Sequence, residues 1–284
     1  MTEYLDASGS WHRTVGRVLE ELRGRYYFGV LALLAEGPKE KREMHAALAA
    51  AHGRLRWLCG EQPMPDDALR RPLQKMLKMG LLEHVRQTSA FPQVAAYQLS
   101  EISENLLGSL DRLAPWCEAN SRYLERMTRI KNRVDPELPS GHVPQRAQVG
   151  MAFGLFTPRW SWGLLSVISE GPRNPRDLFT ANAAHIASNS YSTSRRMLSE
   201  KVGYDTLHWL SQCDLIAKRG AGENESGRVV YEVTARGREL MHAFQPIGKN
   251  MASYYDEPRA LGGRRGQPRP SPVLARLTYR HLTL

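Results

Sequence analysis

Five residues between positions 70 and 78 carry side chains suited to one kind of chemistry. Arg70, Arg71, Gln74, Lys75 and Lys78 recur at intervals of three and four, so on a helix they share one face while Leu69, Leu73, Met76 and Leu77 share the other. Arginine and glutamine can pair with guanine and adenine edges in a major groove, and lysine serves phosphates. The same residues also suit a merely solvated, cation-rich helix face. Their place directly before Gly80-Leu81-Leu82, where a strand is expected to begin, favours contact with a polyanion. Pro72 is tolerated in a helix only within the first turn, so this helix is expected to start near Arg70 or Arg71. His84 and Arg86 follow at the base of the expected hairpin. Arg195 and Arg196, then Lys218, Arg219 and Arg228, form a second and looser set of cations. Trp160, Trp162, Tyr191 and Trp209, with Phe179 and Met197, gather large apolar groups that either fill a core or line a pocket for a small-molecule effector.

Other chemistries lack their motifs. No GxGxxG follows a strand, and GxxxxGK[ST], HExxH and GxSxG do not occur, so no enzyme is expected. Nine histidines are scattered without ligand spacing. Cys59, Cys117 and Cys213 are an odd number with no CxxC pair, which predicts reduced thiols and neither a metal nor a cofactor. The 284 residues are 42% hydrophobic and 24% charged, the proportions of a globular protein with room for two domains. The apolar runs at Phe28 to Ala35 and Gly163 to Ile168 are far shorter than the roughly 20 residues that cross a bilayer, so no membrane partner is expected. Met1 to Ser10 has no basic segment followed by an apolar core, which makes the cytoplasm the expected compartment.

The elements that must position these residues occur twice. Phe28-Gly29-Val30-Leu31 falls on Trp162-Gly163-Leu164-Leu165 at a shift of 134, and the same shift carries Glu36-Gly37-Pro38 onto Glu170-Gly171-Pro172 and Tyr97-Gln98-Leu99-Ser100 onto Tyr231-Glu232-Val233-Thr234. Each copy reads as an apolar helix stopped by Gly-Pro, a second helix near Lys39 or Pro175, a third helix, a two-stranded hairpin and a closing helix. The hairpins are expected at Leu81 to Arg86 with Ala95 to Leu99, and at Leu215 to Arg219 with Arg228 to Val233. The first closing helix should run long and bend at Pro115. Fold class is therefore mainly α with small β wings, as two tandem winged helix-turn-helix domains. Residues 1–134 form the first with its long closing helix, 135–150 a Pro-rich linker, 151–256 the second, and 257–284 a basic tail expected to be disordered as far as Pro272. That tail holds six basic residues and one acidic, half of the net +10.

At Gly80-Leu81-Leu82, Phe91-Pro92-Gln93-Val94-Ala95-Ala96-Tyr97-Gln98-Leu99-Ser100-Glu101, Leu106-Leu107 and Trp116 the sequence resembles the HxlR family of bacterial winged-helix transcriptional regulators. Leu215-Ile216, Tyr231-Glu232-Val233-Thr234 and Gly237 are similar to both HxlR and PadR regulators. The resemblance implies binding to double-stranded DNA through the third helix and wing, usually by homodimers on pseudo-palindromic sites. Two fused copies would supply that symmetry within one chain, and further dimerisation is left open. The stretches from Met44 to Leu81 and from Leu178 to Leu215 are longer than the family usually has. At the shift of 134, Arg70, Arg71, Gln74, Lys75 and Lys78 become Tyr204, Asp205, His208, Trp209 and Gln212, so the first copy is expected to dominate DNA contact; the asymmetry shrinks if Arg195 and Arg196, with Lys201, head the second recognition helix. A protein-docking module without DNA binding, and a plasmid or mobile-element DNA-binding protein, remain as alternatives.

Overall fold

Trp11, Val15, Val18, Leu19 and Leu22 recur at helical spacing and are buried along one side of α1 (Asp6–Leu22) in the computed structural model. The structure describes residues 6–22, 26–54, 64–86, 95–133, 143, 145–180, 183, 186, 198–220 and 229–256. Within these the chain is mainly helical with two small antiparallel sheets. The first half continues with α2 (Tyr27–Leu34), β1 (Lys39–Glu40), α3 (Lys41–Arg54), α4 (Arg70–Lys78), β2 (Leu82–Arg86), β3 (Ala95–Leu99), α5 (Glu101–Asp111), α6 (Ala114–Ala119) and α7 (Ser121–Asn132). The second half holds α8 (Gln145–Gly154), α9 (Ser161–Ser169), α10 (Pro175–Phe179), α11 (Glu200–Gln212), β4 (Ile216–Arg219), β5 (Val230–Val233) and α12 (Ala235–Asp256).

The offset of 134 holds down to single hydrogen bonds. Ser100 Oγ donates to the Gly80 carbonyl at 2.6 Å, and Thr234 Oγ1 donates to the Asp214 carbonyl at 2.6 Å. Lys39 pairs with Tyr97 across β1 and β3, while Arg173 forms an isolated bridge to Tyr231. Gly80 and Asp214 both adopt left-handed backbone, with φ 73° and 51°. In each case the following amide closes the helix, Leu81 on the Met76 carbonyl and Leu215 on that of Leu210, a Schellman closure. Glycine takes this conformation freely, whereas Asp214 is a non-glycine there and is held by an ion pair with Arg236.

One expected element differs. The first closing segment is not a single helix bent at Pro115 but the three helices α5, α6 and α7. Pro115 occupies the first turn of α6, where its missing N–H breaks no helical bond, and the interruption falls just before it at Arg112 and Leu113. In the second half α12 runs through Pro246 without a break.

The halves are interlocked by exchange of equivalent helices. α1 packs along α12, the closing helix of the other half, and α8 packs reciprocally against α6 and α7; α5 meets α12. Such reciprocity, in which element i meets j′ and i′ meets j, marks an isologous twofold arrangement, here within one chain. Gly248 permits the α1–α12 crossing, because a Cβ there would come within 2.6 Å of the Trp11 carbonyl oxygen. Trp162 Nε1 donates to the His12 carbonyl at 2.8 Å, and Arg146 Nη1, at the place equivalent to His12, donates to the Ala32 carbonyl at 2.6 Å. Phe153, Phe156, Trp162 and Phe244 stack edge-on or tilted, with centroids 5.2 to 5.6 Å apart. Tyr123 spans the same boundary. Its hydroxyl donates to the Cys213 carbonyl at 2.6 Å and its ring lies 4.5 Å beneath the Arg236 guanidinium.

Candidate nucleic-acid interface

Helix α4 owes its orientation to Leu69, Leu73 and Met76, which are buried. The opposite face therefore points outward, and Arg70, Arg71, Gln74, Lys75 and Lys78 are all exposed. The helix starts at Arg70, leaving Pro72 in its first turn, and it contains no acidic residue. The Lys75 ammonium lies 5.6 Å from the centre of the Tyr27 ring, an attraction that holds a flexible stem near α2. Four cations and one amide thus stand together, facing water, on a helix that runs directly into the hairpin.

That hairpin is β2 paired with β3, in the register Leu82 to Leu99 and His84 to Tyr97. His84 is exposed, with its ring centre 4.9 Å from that of its cross-strand neighbour Tyr97. Arg86 ends β2 opposite Ala95, and the turn at Ser89 to Pro92 lies outside the described residues. Two cations absent from the sequence expectation lie on α3. Lys41 and Arg42 open α3, and the His45 ring, one turn on, bonds the Pro65 carbonyl at 2.9 Å, tying α3 to the turn before α4. The Lys-Glu-Lys-Arg run after Gly37-Pro38 was the available signal.

The equivalent surface of the second half has other chemistry. On α11, Tyr204, Asp205, His208 and Gln212 are exposed, while Trp209 turns inward and donates its indole N–H to the Leu155 carbonyl at 2.7 Å. The Phe179 ring occupies the space over Gly203 and meets Tyr204 edge-on, with centres 5.1 Å apart. Lys218 and Arg219 are exposed on β4, and Arg219 is paired with Glu232 at 2.6 Å. Arg195, Arg196, Arg228 and Tyr191 lie outside the described residues.

No family model matches the chain, and no curated protein or solved structure matches it.

Of the aromatic residues expected to fill a core or line a pocket, the described Trp160, Trp162 and Trp209 occupy separate places. Trp162 is buried in the interlocked core, and Trp209 spans α11 and the Leu155 turn. Trp160 is mostly buried and contributes to a cleft of about 580 Å³ with Pro158, Arg159, Ser199, Val202, Asp205 and Thr206. Cys117 and Cys213 are free and buried, and burial pushes each thiol up to about 12. Neither carries thiolate at neutral pH, which makes both poor nucleophiles. Cys59 lies outside the described residues. Among the described residues no group of three or more His, Cys, Asp or Glu could hold a metal ion, and no helix is long and apolar enough to cross a membrane.

Proposed function

We propose that the chain is a sequence-specific, double-stranded DNA-binding transcriptional regulator built from two tandem winged-helix domains, resembling HxlR regulators. The observation that carries this reading is the exposed face of α4, where Arg70, Arg71, Gln74, Lys75 and Lys78 stand without an acidic neighbour on the helix. A helix of this kind fits a major groove, with its following hairpin along the backbone. Phosphate neutralisation by four cations would supply affinity, and Arg and Gln would supply base preference. The cleft beside Trp160 is the candidate place for a small effector, since Val202, Asp205 and Thr206 of α11 line it. The expected site of action is the cytoplasm.

Retardation of labelled duplexes by the purified full-length chain tests the reading. Binding that weakens with salt and drops at least tenfold with Arg70→Ala/Lys75→Ala supports it; no retardation at low salt refutes it. A second reading, docking of a protein partner, is favoured by Val202 and Tyr204, which are 42% and 49% exposed on α11. Duplex-independent capture that Val202→Ser/Tyr204→Ser abolishes would support that one.

A further inference from the structure

Winged-helix dimers read palindromes because a twofold axis presents the same helix face twice. The interlocked halves possess that axis in approximate form, but the two faces it relates differ in charge. We propose that the chain engages an asymmetric target, a single half-site contacted by α4, with α11 contributing no base or phosphate readout. This rests on the DNA-binding reading above and specifies the symmetry of its partner.

Four facts carry the inference. Position by position, Arg70 becomes Tyr204 and Arg71 becomes Asp205, so one cation is replaced by an anion that would face phosphates. Glu200 and Lys201 fall on Asp66 and Asp67, all four exposed, so the net charge passes from +2 over residues 66–78 to −1 over residues 200–212. Lys75 becomes Trp209, whose indole is committed to the Leu155 carbonyl and cannot reach outward. Lys78 becomes Gln212, and of the two exposed β4 cations, Lys218 and Arg219, the second is held by Glu232. Meanwhile the backbone scaffold is retained, down to the left-handed residue and Schellman closure after each helix. A scaffold kept intact beneath a face whose charge has been reversed keeps the interlocked architecture and gives up the second reading head. Like charges opposed across an interface also exclude the wrong pairing, so Asp205 would discriminate against binding in the reversed orientation.

The test is selection from a random duplex pool by the full-length chain, followed by hydroxyl-radical footprinting and a count of chains per duplex. The result expected is an enriched sequence without inverted symmetry, protection of about half a helical turn's major groove by each chain, and affinity for an inverted repeat within about twofold of that for the single site. Two chains binding a repeat stepwise, one on each half, would agree with this. One chain protecting both halves of an inverted repeat would overturn the inference while leaving the DNA-binding reading intact. Failure of any duplex to bind would overturn both. Tyr204→Arg/Asp205→Arg/Gln212→Lys, all at exposed positions, should raise affinity for the inverted repeat about tenfold and leave the single site nearly unchanged. Absence of that gain, with circular dichroism and melting as in the parent chain, would overturn the assignment of the asymmetry to charge.

Discussion

Gln74 and Lys78 share a helix face, yet they are expected to behave differently. Loss of a base-reading amide costs about 1–3 kcal/mol at one base pair, so Gln74→Ala should relax preference at a single position of the target. Lys78→Ala should weaken all sequences alike and lower the slope of log affinity against log salt by about 1. Titrations against a panel of single-base variants at several salt concentrations separate the two; identical profiles would contradict the assigned contacts. Buried thiols give a second prediction. Cys117 and Cys213 hold their protons more tightly in the folded chain, at about 12 against an ordinary 9.0, because burial disfavours the thiolate. The stability they confer is complete below pH 9 and is lost as pH rises through about 12. Denaturant midpoints should fall across that window, and Cys117→Ala/Cys213→Ala should flatten the fall. In a Cys59→Ser background, native chain should resist iodoacetamide at pH 8 and react only once unfolded.

At the scale of elements, the α1–α12 crossing depends on a missing side chain. Gly248→Leu would drive carbons into the Trp11 backbone and Val15, at a cost of about 1–3 kcal/mol or more, measurable as a lowered unfolding midpoint. Gly237→Ala should act likewise, since a Cβ there would run into the Leu215 carbonyl oxygen. An unchanged midpoint in either variant would show that the packed segments have room to separate. The repeat, the hairpin strands and the start of α4 at Arg70 were legible in the sequence, because glycine stops, alternation and the Pro72 rule are local signals. The helices α1 and α8 were not anticipated. Trp11, Val15, Val18 and Leu22 carry the helical period, but their apolar face is buried by α12, more than 200 residues away in the chain, and no local signal announces such a partner. The break between α5 and α6 was misread for a related reason: a proline marks either a kink or a new first turn, and packing against α8 accompanies the second outcome here. Of the candidate surface, the α4 face was readable from spacing alone. That Trp209 points inward and Arg219 is paired depended on contacts from Leu155 and Glu232, which only the fold supplies.

Taken as a whole, the molecule is a pair of equivalent halves clasped by exchanged helices, with its cations distributed unevenly. Residues 257–284 carry six basic side chains against one acidic, so truncation at Asp256 should weaken binding to every duplex and reduce the salt slope without changing which sequence is preferred. A change in preferred sequence would give the tail a reading role instead. The clasp itself predicts one cooperative unfolding transition for both halves, since α1 and α8 each complete the core of the other half; two separated calorimetric transitions would contradict it. The central claim is that the α4 face binds duplex DNA. Its most direct measurement is the affinity of the full-length chain for the selected duplex across 50 to 200 mM salt, compared with Arg70→Ala/Arg71→Ala/Lys75→Ala/Lys78→Ala. Four phosphate contacts correspond to a loss of about 10²-fold over that range, so the quadruple variant should bind weakly at low salt, lose sequence preference and show a slope smaller by about 3 to 4. An affinity and slope equal to those of the parent chain would contradict the account.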